Sequence, residues 1–162
     1  MHELNELAQQ LAAALLQRRQ TLAVAESCTG GWVAKVLTDF PGSSQWFERG
    51  FVTYSNAAKQ EMLGVSAATL DAVGAVSEAA VREMAAGVLQ HSPADYSLAI
   101  SGIAGPGGDV PGKPVGTVCF AWATRGGELR VETRHFSGDR EAVRRQSVVH
   151  ALEGLLDVLG AG

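Results

Sequence analysis

Long apolar runs are missing from this 162-residue chain. None approaches the ~18 residues that a membrane-spanning helix needs. The opening stretch MHELNELAQQ is polar and acidic, the opposite of a secretory leader. Cysteine is scarce: Cys28 and Cys119 stand in separate apolar neighbourhoods, and no C-x-x-C spacing occurs. Both read as reduced, buried residues of a cytoplasmic protein, not as a bridge or metal ligands. A basic excess is absent as well. Thirteen Lys and Arg face 17 Asp and Glu, and no basic block of five occurs, which removes the electrostatic footprint of a nucleic-acid binder. Histidine is thin: His2, His91, His135 and His150 are scattered, so a Ser-His-Asp triad has little to draw on.

What remains is an ordinary globular composition, 46% hydrophobic, with 19 glycines clustered beside apolar runs. The length suits one domain over residues 1–162. Leu4, Leu7, Ala8, Leu11 and Leu15 recur at helical spacing and predict a helix over 3–18. TLAVA (21–25) reads as a buried strand, and WVAKVL as a helix ending before Pro41. WFERGFVTYS reads as a second strand, NAAKQEML as a helix closed by Gly64, and residues 67–72 as a helical turn. Ser77 caps a helix to Gln90. YSLAIS is a third strand, VGTVCFAWAT and ELRVETRHF form a hairpin, and Asp139 caps a final helix with an apolar stripe from Val143 to Leu159. Helices interleaved with strands predict a single three-layer α/β/α domain with a mixed sheet of about five strands. The long stripes on both terminal helices raise the expectation of a homodimer.

Several segments carry chemistry. GGDVPGKP approaches a phosphate-binding P-loop, but Pro114 stands where Ser or Thr must hold magnesium, and a strand follows instead of a helix. The surviving options are an anion-binding nest of backbone N–H groups or a plain surface loop. In VAESCTGGWVAK, Ser27 lacks both the G-x-S-x-G and the S-x-x-K frames. Taken alone it fits a helix-start residue as well as a nucleophile. In TYSNAAK, Tyr54 ends a strand and Lys59 lies about one turn into the next helix. A desolvated lysine there can serve as base for a serine hydroxyl, or it can simply be a solvated side chain. Arg140 follows Gly138 and Asp139 at a helix start, a setting for an anion or for pairing with a nearby acid. Arg144 and Arg145 read as exposed helical residues paired with acids. Glu26 either orients Lys59 or satisfies the turn.

Together, AESCTGG, GFVTYSNAAKQEMLGV, GAVSE, SGIAGPGG, KPVGTVCFA and FSGDREAVR, in this order, resemble the CinA C-terminal domain family from about Leu4 to Leu159. Stand-alone members of that family are nicotinamide-nucleotide amidohydrolases of the pyridine-nucleotide cycle, cytoplasmic enzymes that convert nicotinamide mononucleotide to nicotinate mononucleotide and ammonia. The resemblance implies Ser27 as nucleophile, with Tyr54 and Lys59 as its activating partners. It also implies substrate contacts from Cys28, Thr29, Gly30 and Gly31 at the serine corner and from Ser101, Gly102, Gly105 and Arg140 elsewhere. Ser101 takes a place often held by threonine. Backbone N–H groups from Cys28 to Gly30 are the expected oxyanion donors. No cofactor or metal is implied. Two other readings stand beside this one. One is a non-catalytic nucleotide-binding or competence-related regulatory module. The other is a penicillin-recognising acylase suggested by Tyr54-Ser55-Asn56, which the missing S-x-x-K and K-T-G sequences oppose.

Overall fold

The computed structural model describes residues 2–160; Met1, Ala161 and Gly162 of the expected domain lie outside the described residues. Alternation of residue size builds the architecture. On β1 (Leu22–Glu26), β3 (Tyr96–Gly102) and β4 (Thr117–Thr124), one face carries large side chains, among them Leu22, Val24, Leu98, Ile100, Phe120 and Trp122. The opposite face carries Ala23, Ala25, Ala99, Cys119, Ala121 and Ala123. Both faces are buried, as expected of strands covered by helices on two sides.

The large-residue face takes α1 (His2–Arg18), α2 (Trp32–Leu37) and α6 (Arg140–Leu159). The alanine face takes α5 (Glu78–Gln90), which crosses β1, β3, β4 and β5 (Leu129–His135). Small side chains let α5 come close. Ser97 Oγ donates to the Ala85 carbonyl at 2.9 Å, a direct bond from strand to helix. Outside α5 lie α3 (Asn56–Leu63) and α4 (Ala67–Val73). The sheet order is β2-β1-β3-β4-β5, with β2 at Phe47–Val52. β1 runs parallel to both β2 and β3, and β4 runs antiparallel to both of its neighbours, β3 and β5. The three-layer α/β/α domain with a mixed five-stranded sheet is the architecture anticipated; the turn expected at 67–72 is a full helix, and a short 3-10 helix at Ser43–Gln45 was not foreseen.

The caps at Gly64, Ser77 and Asp139 fall where the sequence places them, and Ser55 adds one for α3. Ser55, Ser77 and Asp139 each accept a hydrogen bond from the backbone N–H three residues on, and Gly64 ends α3 with φ 72°. Among the boundaries that shift, two bear on the site. β1 extends to Glu26, which still pairs with Val52 and Ile100, and β2 ends at Val52, leaving Thr53 and Tyr54 as a link into α3. The helix stripes pack within the chain. Leu4, Leu11 and Leu15 on α1 and Val148, Leu152 and Leu155 on α6 are buried against each other and the sheet. Among the described residues, no helix is long and apolar enough to cross a membrane.

Candidate functional site

β1, β2 and β3 are parallel, so their carboxyl ends share one edge of the sheet. From β1 the chain moves to β2 on one side, and β3 lies on the other. Such a switch point leaves a crevice where ligands bind in open α/β sheets. A cavity of about 390 Å³ occupies it, with Ser27, Cys28, Tyr54, Lys59, Ser101, Gly102, Gly105 and Arg140 all on its lining. His91, His135 and His150 are not on that lining. Neither is there, among the described residues, a cluster of three or more His, Cys, Asp or Glu able to hold a metal ion.

Ser27 begins a tight turn directly after β1. Its N–H donates to Ile100 O at 3.1 Å, and its carbonyl accepts from Gly30 N–H at 3.0 Å. Opposite stands Lys59, on the first turn of α3 and only 1% exposed. Its Nζ lies 3.0 Å from Ser27 Oγ, 2.8 Å from Thr53 O and 3.3 Å from Tyr54 O. Burial disfavours the ammonium and holds the Lys59 pKa below its usual 10.5; a charge on Cys28 would oppose this. Burial also pushes the Cys28 thiol up to about 12, so that opposing charge is not present near neutral pH. The same shift leaves Cys28 protonated and a poor nucleophile near neutral pH.

Tyr54 contributes two different atoms. Its carbonyl orients Lys59, while its side chain is 62% exposed at the mouth and its hydroxyl accepts from Arg140 Nη2 at 3.1 Å. Arg140 Nη1 donates to Gly105 O at 2.9 Å, so this guanidinium ties the α3 side of the mouth to the glycine loop. The loop is closed at its neck, where Ile103 N–H donates to Thr117 O and Gly116 N–H to Ile103 O, at 2.9 and 2.7 Å. Two glycines are sterically required on its strand side. A Cβ on Gly102 would stand 2.7 Å from Val118 Cγ2, and one on Gly105, at φ 79°, 2.5 Å from Val115 Cγ1.

Three of the expected residues are placed elsewhere. Thr29, Gly30 and Gly31 line a separate cleft on the α6 side of the turn, with Trp32, Lys35 and Arg144. The Gly30 N–H, already given to Ser27 O, is not an available oxyanion donor. Arg144 does not sit on an exposed face paired with an acid. Its Nε donates to Cys28 O at 3.1 Å and its Nη2 to Thr29 O at 3.3 Å. Arg145 does pair with an acid, Glu3, at 3.4 Å. Asn56, Ala75 and Val76 join the cavity lining without having been singled out. Their presence in the TYSNAAK and GAVSE segments was the available signal.

Glu26 has an unambiguous partner set. Its buried carboxylate accepts from Thr29 Oγ1 at 2.6 Å, Val33 N–H at 2.9 Å and Ala34 N–H at 3.0 Å. It therefore satisfies the start of α2, where a negative charge is favoured, and makes no hydrogen bond to Lys59. Glu26→Gln is expected to destabilise the fold by about 1–3 kcal/mol, because one of its two oxygens becomes a donor facing donors. A urea midpoint equal to the wild type's would contradict that role.

A three-layer α/β/α domain with a small-molecule cavity at the switch point of its sheet is the class that this geometry defines. Residues 4–159 match the CinA C-terminal domain, and the chain belongs to that family. The nicotinamide-nucleotide amidohydrolase PncC of Escherichia coli (strain K12) is 59% identical over 153 residues, covering 94% of this chain and 93% of the relative. The protein of the same name from Pseudomonas putida is 49% identical over 158 residues, covering 98% of each. The crystal structure of competence damage-inducible protein A (ComA) from Klebsiella pneumoniae superimposes with a TM-score of 0.94 over 97% of both chains, at 42% identity.

Proposed function

We propose that this chain is an amidohydrolase converting nicotinamide mononucleotide to nicotinate mononucleotide and ammonia, with Ser27 as nucleophile and Lys59 as its base. The names of the relatives support the substrate; the surroundings of Lys59 support the mechanism. A neutral amine has two N–H donors and one lone pair. Thr53 O and Tyr54 O take the two donors, which leaves the lone pair directed at the Ser27 hydroxyl 3.0 Å away. That arrangement is the single observation that carries the reading, and it favours Lys59 over Tyr54, whose hydroxyl is engaged by Arg140 at the mouth.

In this mechanism Ser27 Oγ attacks the carboxamide carbon as its proton passes to Lys59 Nζ. The protonated lysine then gives that proton to the departing amide nitrogen, which leaves as ammonia, and Ser27 retains the acyl group as an ester. Lys59 next takes a proton from water, the hydroxide attacks the ester, and the lysine returns that proton to Ser27 as the carboxylic acid is expelled; the acid then gives its own proton to solvent and departs as the carboxylate. The cationic pyridinium ring helps twice: it draws electrons from the carboxamide, and its charge disfavours the lysine ammonium. The Cys28 N–H, next in the chain after the nucleophile, is the oxyanion donor in this scheme. Arg140 and the glycine loop receive the 5′-phosphate. The bonds to Gly105 O and Tyr54 Oη fix the plane of the guanidinium, and its other N–H groups serve the anion.

Purified protein given nicotinamide mononucleotide is expected to release ammonia, and Ser27→Ala to do so at least about 10³-fold more slowly. Wild-type turnover in Ser27→Ala would sink the mechanism. Tight binding of the nucleotide by the wild type with no ammonia released would instead favour a non-catalytic binding module.

A further inference from the structure

The serine turn is held from outside the cavity as well as from within. Ser27 N–H and Ser27 O anchor the start of the turn, through Ile100 O and Gly30 N–H. Its middle peptide units are held by Arg144, which reaches across from the second turn of α6 to the carbonyls of Cys28 and Thr29. The guanidinium carbon also lies 5.6 Å from the centre of the Trp32 ring, so the group is sandwiched between an aromatic face and the turn. Contact with the turn is close. A Cβ on Gly30, which has φ 60°, would stand 3.3 Å from Arg144 Nη2.

Peptide planarity gives this contact a consequence for chemistry. A carbonyl held toward α6 turns the N–H of the same peptide unit to the opposite side, and it fixes the torsions on either side of that unit. For the unit joining Cys28 to Thr29, those torsions adjoin the residue whose own N–H follows the nucleophile. Ser27 and Cys28 line the cavity, while Arg144 lines the cleft behind them. We infer that Arg144 is a positioning residue for the reaction, a two-pronged clamp on the Cys28 and Thr29 carbonyls that aims Ser27 Oγ and the Cys28 N–H into the cavity without touching substrate. The reaction concerned is the amide hydrolysis proposed above, and the inference rests on that reading. A planar fork suits two adjacent carbonyls; a lysine, a single point of charge, does not span them.

The test uses the full chain with Arg144→Ala and Arg144→Lys. Three quantities are measured: kcat and KM for ammonia release from nicotinamide mononucleotide, the rate at which a fluorophosphonate labels Ser27, and the urea midpoint. In Arg144→Ala, kcat is expected to fall about tenfold or more, since small misplacements of reacting groups are costly. KM stays near the wild-type value, labelling of Ser27 slows in step with kcat, and millimolar ethylguanidinium restores part of both rates. Arg144→Lys falls between wild type and Arg144→Ala, and it carries the test by itself if the alanine variant does not fold. Unchanged kcat and labelling rates overturn the inference, and so does a loss confined to KM. Labelling keeps the two proposals apart. If the wild type releases no ammonia the amidohydrolase reading falls, while a slower reaction of Ser27 in the variants still supports the clamp and an equal one still removes it.

Discussion

Lys59→Met is expected to lower ammonia release by about 10²–10⁴-fold, the usual worth of a positioned general base, while the chain still folds. Methionine matches the length of the lysine stem and suits the buried site, though it leaves Thr53 O and Tyr54 O without a donor. Lys59→Arg is expected to be equally inactive, since a guanidinium does not release its proton in this pH range. In the wild type, kcat/KM should rise with pH through an ionisation below 10.5, as desolvation lowers the lysine pKa. Stability should carry the same signature. Between the lowered folded-state pKa and 10.5 the unfolded chain binds more protons at Lys59, so folding gains stability as pH rises through that window. Cys28 acts in the opposite sense above its unfolded value of 9.0, because in the folded chain its thiol stays protonated to about 12. Urea melts of wild type and Lys59→Met across pH separate the two, since only the lysine contribution disappears in the variant. A pH–rate curve that keeps its midpoint in an active Lys59→Met would exclude Lys59 as the base.

Much of this arrangement is legible in the chain. Two-sided apolar runs mark β1, β3 and β4, and helical stripes or serine and aspartate caps mark α1, α5 and α6, because each is a local pattern. The meeting of Ser27 with Lys59 entered only through the family resemblance, since the residues alone left a solvated Lys59 open. Ser27 directly follows β1, and Lys59 lies one turn into α3 after the neighbouring parallel strand β2, so the topology of the sheet brings the two together. What escapes is chemistry conducted through backbone atoms. Arg144 binds two carbonyls more than a hundred residues away, and carbonyls leave no residue-type signature. Tyr54 orients Lys59 with its main chain and meets Arg140 with its side chain, a division of labour that residue identity does not reveal. The resemblance assigned Thr29, Gly30 and Gly31 to the substrate. The turn places them on the cleft behind Ser27, where the missing side chain of Gly30 leaves room for the Arg144 guanidinium. The apolar stripes of α1 and α6 say that each helix has packing partners but not which ones, and those partners include the other helix.

Gly87→Ala should be nearly as damaging to the fold as Lys59→Met is to turnover, against the trend of helix propensity. In an isolated helix, alanine for glycine gains about 1 kcal/mol. Here the added Cβ would stand 2.1 Å from Leu63 O and 2.9 Å from Leu63 C, which are main-chain atoms at the end of α3. No rotamer relieves such an overlap, so α3 must move away from α5. Overpacking of this kind costs about 1–3 kcal/mol or more, which outweighs the propensity gain. The displaced helix is also the one that carries Lys59, one turn before Leu63, and the 3.0 Å contact with Ser27 Oγ must lengthen with it. The expected result is a lower urea midpoint together with a roughly 10- to 100-fold loss of kcat. Gly64→Ala supplies the comparison at the next residue. Its Cβ would meet nothing within 4 Å, so only the left-handed backbone at φ 72° is strained, at a cost of about 1 kcal/mol. Turnover should survive that change. Loss of stability in both variants with loss of turnover only in Gly87→Ala is the pattern that separates a displaced α3 from general weakening. Equal turnover in the two would show that the distance from Lys59 to Ser27 does not depend on how closely α3 packs on α5.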